Sequence, residues 1–272
     1  MVRALWSGAS GMIAQQTNVD TIANNLANVN TVGYKTEQNE FKSLLYQEIQ
    51  TRTTSANGVV KPVNAQVGLG VRNAAITSEF TQGAFQTSES TTSFAISGEG
   101  FFAVEDNGNV YYTRNGDFHF SIGANGNMVL CTSDGCPVLS TTGQQIQIPA
   151  NYIASKVQVN ADGQLTYPDA DNNQQPIPGM TIGLFQFQNP SGLYKVGGTM
   201  YQATDSSGMA INENTNPNVT KSEIYQGYLE SSNVQVADEM VNLIIAQRAY
   251  ELNSKVITTS DSMLQVANDL KR

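Results

Sequence analysis

Between Met240 and Leu270 the chain carries two heptad-spaced stripes. One is Ile245, Ala249, Leu252, Val256, Thr259, Met263, Val266 and Leu270, and the other is Met240, Leu243, Gln247, Tyr250, Ser254, Ile257, Asp261 and Leu264. Positions two apart on an α-helix differ by about 200° in angle, so the stripes lie nearly opposite each other and burying both requires contacts on two sides. One partner helix cannot supply that. A helix of about 35 residues spans roughly 50 Å at about 1.5 Å per residue, and the polar, β-rich sequence before it would have to wrap round it. Burial against neighbouring copies of the same chain is the simpler solution.

The N-terminal segment has one such stripe: Leu5, Ala9, Met12, Gln16, Val19, Ala23, Leu26 and Asn30, coiled-coil-like with two polar breaks. Asn18, Asn25 and Asn28 fall on the other face, which is free to meet water or polar neighbours. These stripes give a candidate assembly interface of Leu5, Met12, Val19 and Leu26 at one end and Met240, Leu243, Ile245, Tyr250, Leu252, Val256, Ile257, Met263, Leu264, Val266 and Leu270 at the other.

Between the ends the sequence reads as strands. Charged residues are 14% of the 272 and Gly, Asn, Gln, Ser and Thr are abundant, which favours β-structure with polar turns. Asn57-Gly58, Asn107-Gly108, Asn115-Gly116, Asn125-Gly126, Asp134-Gly135 and Asp162-Gly163 supply the positive φ that tight hairpins need. Between them Phe118, Phe120 and Ile122 alternate with polar residues, as do Ile146 with Ile148 and Val157 with Val159, giving an antiparallel meander with one buried face. The stretch TRTTSANGVVKPVNA after Gln50 lacks periodicity and reads as an exposed loop or extended hairpin. Asp171 to Pro178 (DNNQQPIP) reads as a loop tip.

The formal charge is −9, and between Glu99 and Glu213 ten acids against three bases leave −7. Such a surface repels phosphate backbones, which argues against nucleic acid as a partner. No run of about 18 apolar residues exists to cross a bilayer as a helix. Ser7, Gly8, Ser10 and Gly11 break any apolar core of a signal peptide.

Catalytic and cofactor chemistry is equally thin. The only histidine, His119, sits in an alternating strand, so any His-dependent nucleophilic mechanism would rest on it alone. Three Cys and His residues in total are too few for a structural zinc site. Asp169, Asp171 and Asn173 open like an EF-hand loop, but Gln174 stands where Gly is needed and Met180 where Glu is needed. Gly98-Glu99-Gly100 precedes a strand with no helix after it, so it is a turn or bulge rather than a phosphate loop. The residues therefore call for no catalytic residue, cofactor or metal. A carbohydrate-binding or degrading module would need paired acids and exposed aromatics, whereas Asp162, Asp169 and Asp171 lie in turn-like sequence without aromatics around them. Cys131 and Cys136 flank a TSDG turn, where a hairpin brings two residues to about 5.5 Å between Cα atoms. They are a candidate disulfide outside the cytoplasm, or two ordinary buried thiols.

The segment IANNLANVNTVGYK, from Ile22 to Lys35, resembles the signature of bacterial flagellar rod and hook proteins. It contains Ala23, Asn24, Asn25, Leu26, Ala27, Asn28, Thr31, Gly33, Tyr34 and Lys35. Asn28 and Asn30 bond their own backbone and Gly33 takes a positive φ that ends the helix. The resemblance continues through GEGFFAV (98–104), YYTRNGDF (111–118), GNMVL (126–130), YQGYLESSNV (225–234) and QRAYELNSKVI (247–257). LWSGASGM (5–12) and FKSLLYQ (41–47) place it nearest the distal-rod branch.

The resemblance implies an α+β fold in which long N- and C-terminal helices pair as a coiled-coil layer around a central antiparallel all-β region. It divides the chain into a helix at 1–35, a connecting region at 36–91 with an insert at about 46–66, a β-rich outer domain at 92–199, a return connection at 200–230 and a helix at 231–272. It also implies a non-enzymatic subunit that polymerises with itself into a hollow, rigid tube. Its partners would be neighbouring rod and hook proteins, basal-body ring proteins and the flagellar export apparatus. The location would be the periplasm, reached without a cleaved signal. The insert would bridge neighbouring subunits. The cysteine pair is not part of the family pattern.

Overall fold

The structure, a computed structural model, describes residues 2–50, 65–123, 126–149, 151–169, 173–217 and 219–270. It forms two compact units. One comprises Met1–Ala27, Glu37–Ser78 and Gln235–Arg272, the other Asn28–Thr36 and Glu79–Val234. The chain thus passes between them four times, at 27/28, 36/37, 78/79 and 234/235.

The first unit holds the two long helices, α1 (Val2–Ala27) and α2 (Val236–Asp269), and four strands: β1 (Glu37–Ser43), β2 (Tyr46–Gln50), β3 (Ala65–Gly68) and β4 (Val71–Ser78). Asp238 and Glu239 in the first turn of α2 suit the positive end of its dipole. The helices run antiparallel: Gly8 lies against Ile257, Gly11 against Asn253, and Asn25 is hydrogen-bonded to Glu239. Close approach is what the glycines provide, since a Cβ on Gly11 would stand 2.8 Å from Asn253 Nδ2. β1 pairs antiparallel with β4, with a bulge between Glu40 and Phe41, and β2 pairs with β3. Residues 51–64, where the aperiodic stretch falls, lie outside the described residues.

The second unit is antiparallel throughout. Its strands are β5 (Phe85–Thr87), β6 (Phe94–Ser97), β7 (Phe101–Asp106), β8 (Asn109–Thr113), β9 (Phe118–Ile122), β10 (Met128–Thr132), β11 (Gln147–Ile148) and β12 (Gln158–Val159). They continue with β13 (Gln164–Pro168), β14 (Gln174–Thr181), β15 (Leu184–Gln186), β16 (Tyr194–Gly197), β17 (Met200–Gln202), β18 (Ile211–Asn212), β19 (Glu223–Gln226) and β20 (Tyr228–Glu230). The largest sheet has the order β16-β17-β8-β7-β15-β18, and two three-stranded sheets have the orders β11-β10-β9 and β12-β13-β14. β7 is buried on both faces. Phe102 and Val104 enter a core with Phe94, Phe118, Leu130 and Ile182, while Phe101 and Ala103 enter a second with Tyr112, Phe187 and Tyr201, as the alternation of a strand dictates.

Three local expectations change. Asn115-Gly116 is no positive-φ turn; its glycine is needed because a Cβ there would collide with the Phe94 carbonyl. Most of the stretch 171–178 is strand rather than loop tip: Gln174 onward forms β14, with Ile177 buried. Pro176 and Pro178 are tolerated because β14 is an edge strand. The stretch 200–230 is no bare connection either, since it supplies β17 to β20.

Gly11→Val should force a branched side chain into the helix seam and cost about 1–3 kcal/mol, read as a lower thermal midpoint of the helical signal of the full chain.

Candidate functional site

In the first unit the helix seam is made of small and polar residues. Glu239, Ala246, Asn253 and Ser260 recur every seven residues along α2, and Glu239, Ala246 and Ser260 are buried. Gly11, Asn18 and Asn25 follow the same spacing on α1, so the antiparallel register sets Gly11 level with Asn253 and Asn25 level with Glu239. Neither apolar stripe forms this line. Leu243, Ile257 and Leu264 border it half-buried, as do Leu5, Met12, Val19 and Leu26 on α1.

The remaining apolar side chains are left outside: Met240, Ile245, Tyr250, Leu252, Val256, Met263, Val266 and Leu270 are all exposed. Leu252 is 64% exposed and Leu270 83%, and Trp6 on α1 is 69% exposed. The asparagine face of α1, read as free to meet water or polar neighbours, meets polar neighbours at Asn25, whose amide satisfies backbone groups that an apolar side chain would orphan.

Asn25, 1% exposed, shows how. Its amide donates to the Glu37 carbonyl at 2.9 Å while its carbonyl accepts from the Glu37 N–H at 2.9 Å. It thereby mimics a strand partner at the start of β1. The same amide reaches Glu239 Oε1 at 3.3 Å. Asn39 continues the line by donating to the Thr17 carbonyl and the Thr21 hydroxyl. Burial is the largest influence on Glu239 and pushes its carboxyl above the ordinary range; the Asn25 bond opposes this and Asp238 adds to it.

The second unit contains a buried ion cluster. Lys35 Nζ lies 2.6 Å from Glu230 Oε1 and donates to the Thr81 carbonyl at 2.7 Å. Arg114 Nη1 lies 3.4 Å from Glu230 Oε2, Nη2 donates to the Gly98 carbonyl at 2.7 Å, and the guanidinium stacks 5.0 Å from the Phe101 ring centre. The Gly83 N–H also donates to Glu230 Oε1. Burial draws Lys35 below its ordinary range, against the pull of Glu230. Removing one partner from such a cluster strands a buried charge at a cost of about 3–5 kcal/mol. Gly33, at φ +70°, donates to the Glu230 carbonyl, and a Cβ on it would lie 2.6 Å from the Asn115 nitrogen.

The second unit also holds a buried carboxylate, Glu213, which accepts from Gln186 Nε2 and from the Ser222 N–H and hydroxyl. Neither cluster was legible as a unit in the sequence, because its members lie far apart in the chain.

Other sequence candidates resolve differently. His119 is exposed on β9. Cys131 and Cys136 are buried free thiols, and burial raises both. Cys131 stands opposite Pro137, and Thr132 bonds the Cys136 carbonyl, so the two cysteines sit one position out of register. Asp169, read as lacking aromatic neighbours, shares a groove of about 460 Å³ with Tyr152 and Tyr167. It is the only carboxylate among the described residues that line the groove.

Comparison with known proteins gives a consistent result. The family described as flagella basal body rod protein matches residues 5–35, the flagellar hook protein FlgE/F/G D1 domain matches 95–167, and the flagellar basal body rod FlgEFG protein C-terminal family matches 225–270. Lys35, Arg114 and Glu230 fall one in each. The chain is 42% identical to the flagellar basal-body rod protein FlgG of Borreliella burgdorferi, with 100% of both chains covered. It is 36% identical to FlgG of Bacillus subtilis, again over 100% of both. It is 30% identical to the flagellar hook-basal body complex protein FlhP of Bacillus subtilis, likewise over 100% of each.

Because Glu239 holds its proton more tightly when folded, the stabilisation from its protonation is fully present below the unfolded pKa and is lost as pH rises through the folded one. Glu239→Gln, which keeps an acceptor for Asn25, should stabilise the helix pair at neutral pH and abolish the gain seen on acidifying through the carboxylate range, measured by urea unfolding of the helical signal.

Proposed function

The chain belongs to the family of flagellar basal-body rod proteins FlgG and is a structural rod subunit, and from that membership we propose that it builds the distal rod as a helical polymer of itself. The rod is a hollow, rigid shaft that carries motor torque to the hook and passes exported subunits along its lumen. α1 and α2 of each copy form the inner layer, packed in coiled-coil fashion against the helices of neighbouring copies, and the β-unit faces outward. The chain has no catalytic role. It works in the periplasm, reached through the flagellar export apparatus, among rod and hook proteins and the surrounding rings.

One observation carries this reading: the exposed stripe of α2, from Ile245 through Leu252, Val256, Met263 and Val266 to Leu270. Full burial of each such side chain contributes about 1.5–3 kcal/mol, whereas association costs about 4–15 kcal/mol. A neighbour covering the whole stripe therefore gains an amount comparable with that cost, several times what one covering a residue or two gains. That favours contact along the length of the helix. The apolar residues Tyr46 and Ile49 of β2, also exposed, support a second contact at the base of the insert.

Leu252→Asp or Val266→Asp places an uncompensated charge in that contact. Each should abolish polymer in sedimentation and motility in cells, while the near-UV signal of the β-unit stays native; retained motility would sink the packing assignment. Deleting residues 50–64 should give rods that bend, and straight, stiff rods in electron micrographs would refute the bridging role of the insert.

A further inference from the structure

Three of the four places where the chain passes between the units are tied together inside the second unit by one amide and one carboxylate. The Asn233 carbonyl accepts from the Thr36 N–H at 2.7 Å and from its hydroxyl at 2.8 Å, while the Asn233 amide donates to the Glu79 carbonyl at 2.9 Å and to the Thr81 hydroxyl at 2.7 Å. The Glu79 N–H returns to the Thr36 carbonyl at 2.8 Å. Glu230, three residues before Asn233, receives Lys35 and the Gly83 N–H on one oxygen and Arg114 on the other, and its own carbonyl takes the Gly33 N–H. The segments 33–36, 79–83 and 230–233 therefore share partners in every pairing, and Lys35 and Glu230 have no side-chain surface in water.

We propose that these groups form a force-sharing clamp: the three passages detach from the β-unit together or not at all. Pulling any one segment away takes hydrogen-bond or charge partners from buried and part-buried groups in the other two. A load on a single passage is thereby spread over three. The use of such sharing in torque transmission rests on the rod reading, but the clamp itself does not, and a failure of polymer assembly would leave the test below unchanged.

The test is residue-resolved amide exchange of the full chain in dilute denaturant. In the native protein the amides of Gly33, Thr36, Glu79 and Gly83 should open with one free energy and one denaturant dependence; separate opening of the three segments would overturn the clamp without any variant. Asn233→Ala should lower protection about tenfold or more at Gly33 and Gly83, neither of which it touches. Lys35→Met should do the same at Thr36 and Glu79. Losses confined to the immediate contacts of the substituted side chain would refute the proposal.

Discussion

A single carboxylate, that of Glu230, sets the terms for the second unit. Burying it in full view of no water is costly unless each oxygen is answered, and the answers come from distant parts of the chain: Lys35, Arg114 and the Gly83 N–H. The need to bring them together fixes the turn at Gly33, where a positive φ lets the chain run close against Asn115. It also fixes the placement of β20 beside β5, where Glu230 stands opposite Phe85. Arg114 in turn leans on the Phe101 face, and through Phe101 the ion cluster is joined to the smaller of the two apolar cores.

The first unit is organised by a different economy. Its helices approach closely at Gly8, Gly11, Asn25 and Asn253, with Ile257 set against Gly8 and Leu243 and Leu264 half-buried alongside. Small residues allow the backbones to approach, and asparagines satisfy the groups that close approach would otherwise orphan. An apolar seam would have consumed the side chains that the outer stripe keeps. The helix pair thus divides between small and polar residues along its seam and large apolar ones on its exposed face.

Much of this was legible in the sequence. The antiparallel meander around Phe118 to Ile122 and the Asn-Gly turn at 107–108 follow from periodicity and turn chemistry, which are local. On α1 the apolar stripe through Leu5 and Met12 is a stronger pattern than Gly11, Asn18 and Asn25, whose part in the seam depends on what stands opposite. The ion cluster was beyond local reading for the same reason, since Lys35 and Glu230 lie 195 positions apart. Pro176 and Pro178 misled by composition: whether proline ends a strand or merely edges it depends on which side has a neighbour.

The pairing of Asn25 with Glu239 joins positions separated by 214 residues, and contacts so distant in sequence are slow to form. Time, as well as space, is therefore built into the helix pair. A chain emerging from synthesis displays α1 long before α2 exists to meet it. Through that interval Leu5, Met12, Val19 and Leu26, which flank the seam of glycine and asparagine, lack the cover that α2 later gives them, so the first helix has to be kept from other company until the last one is made.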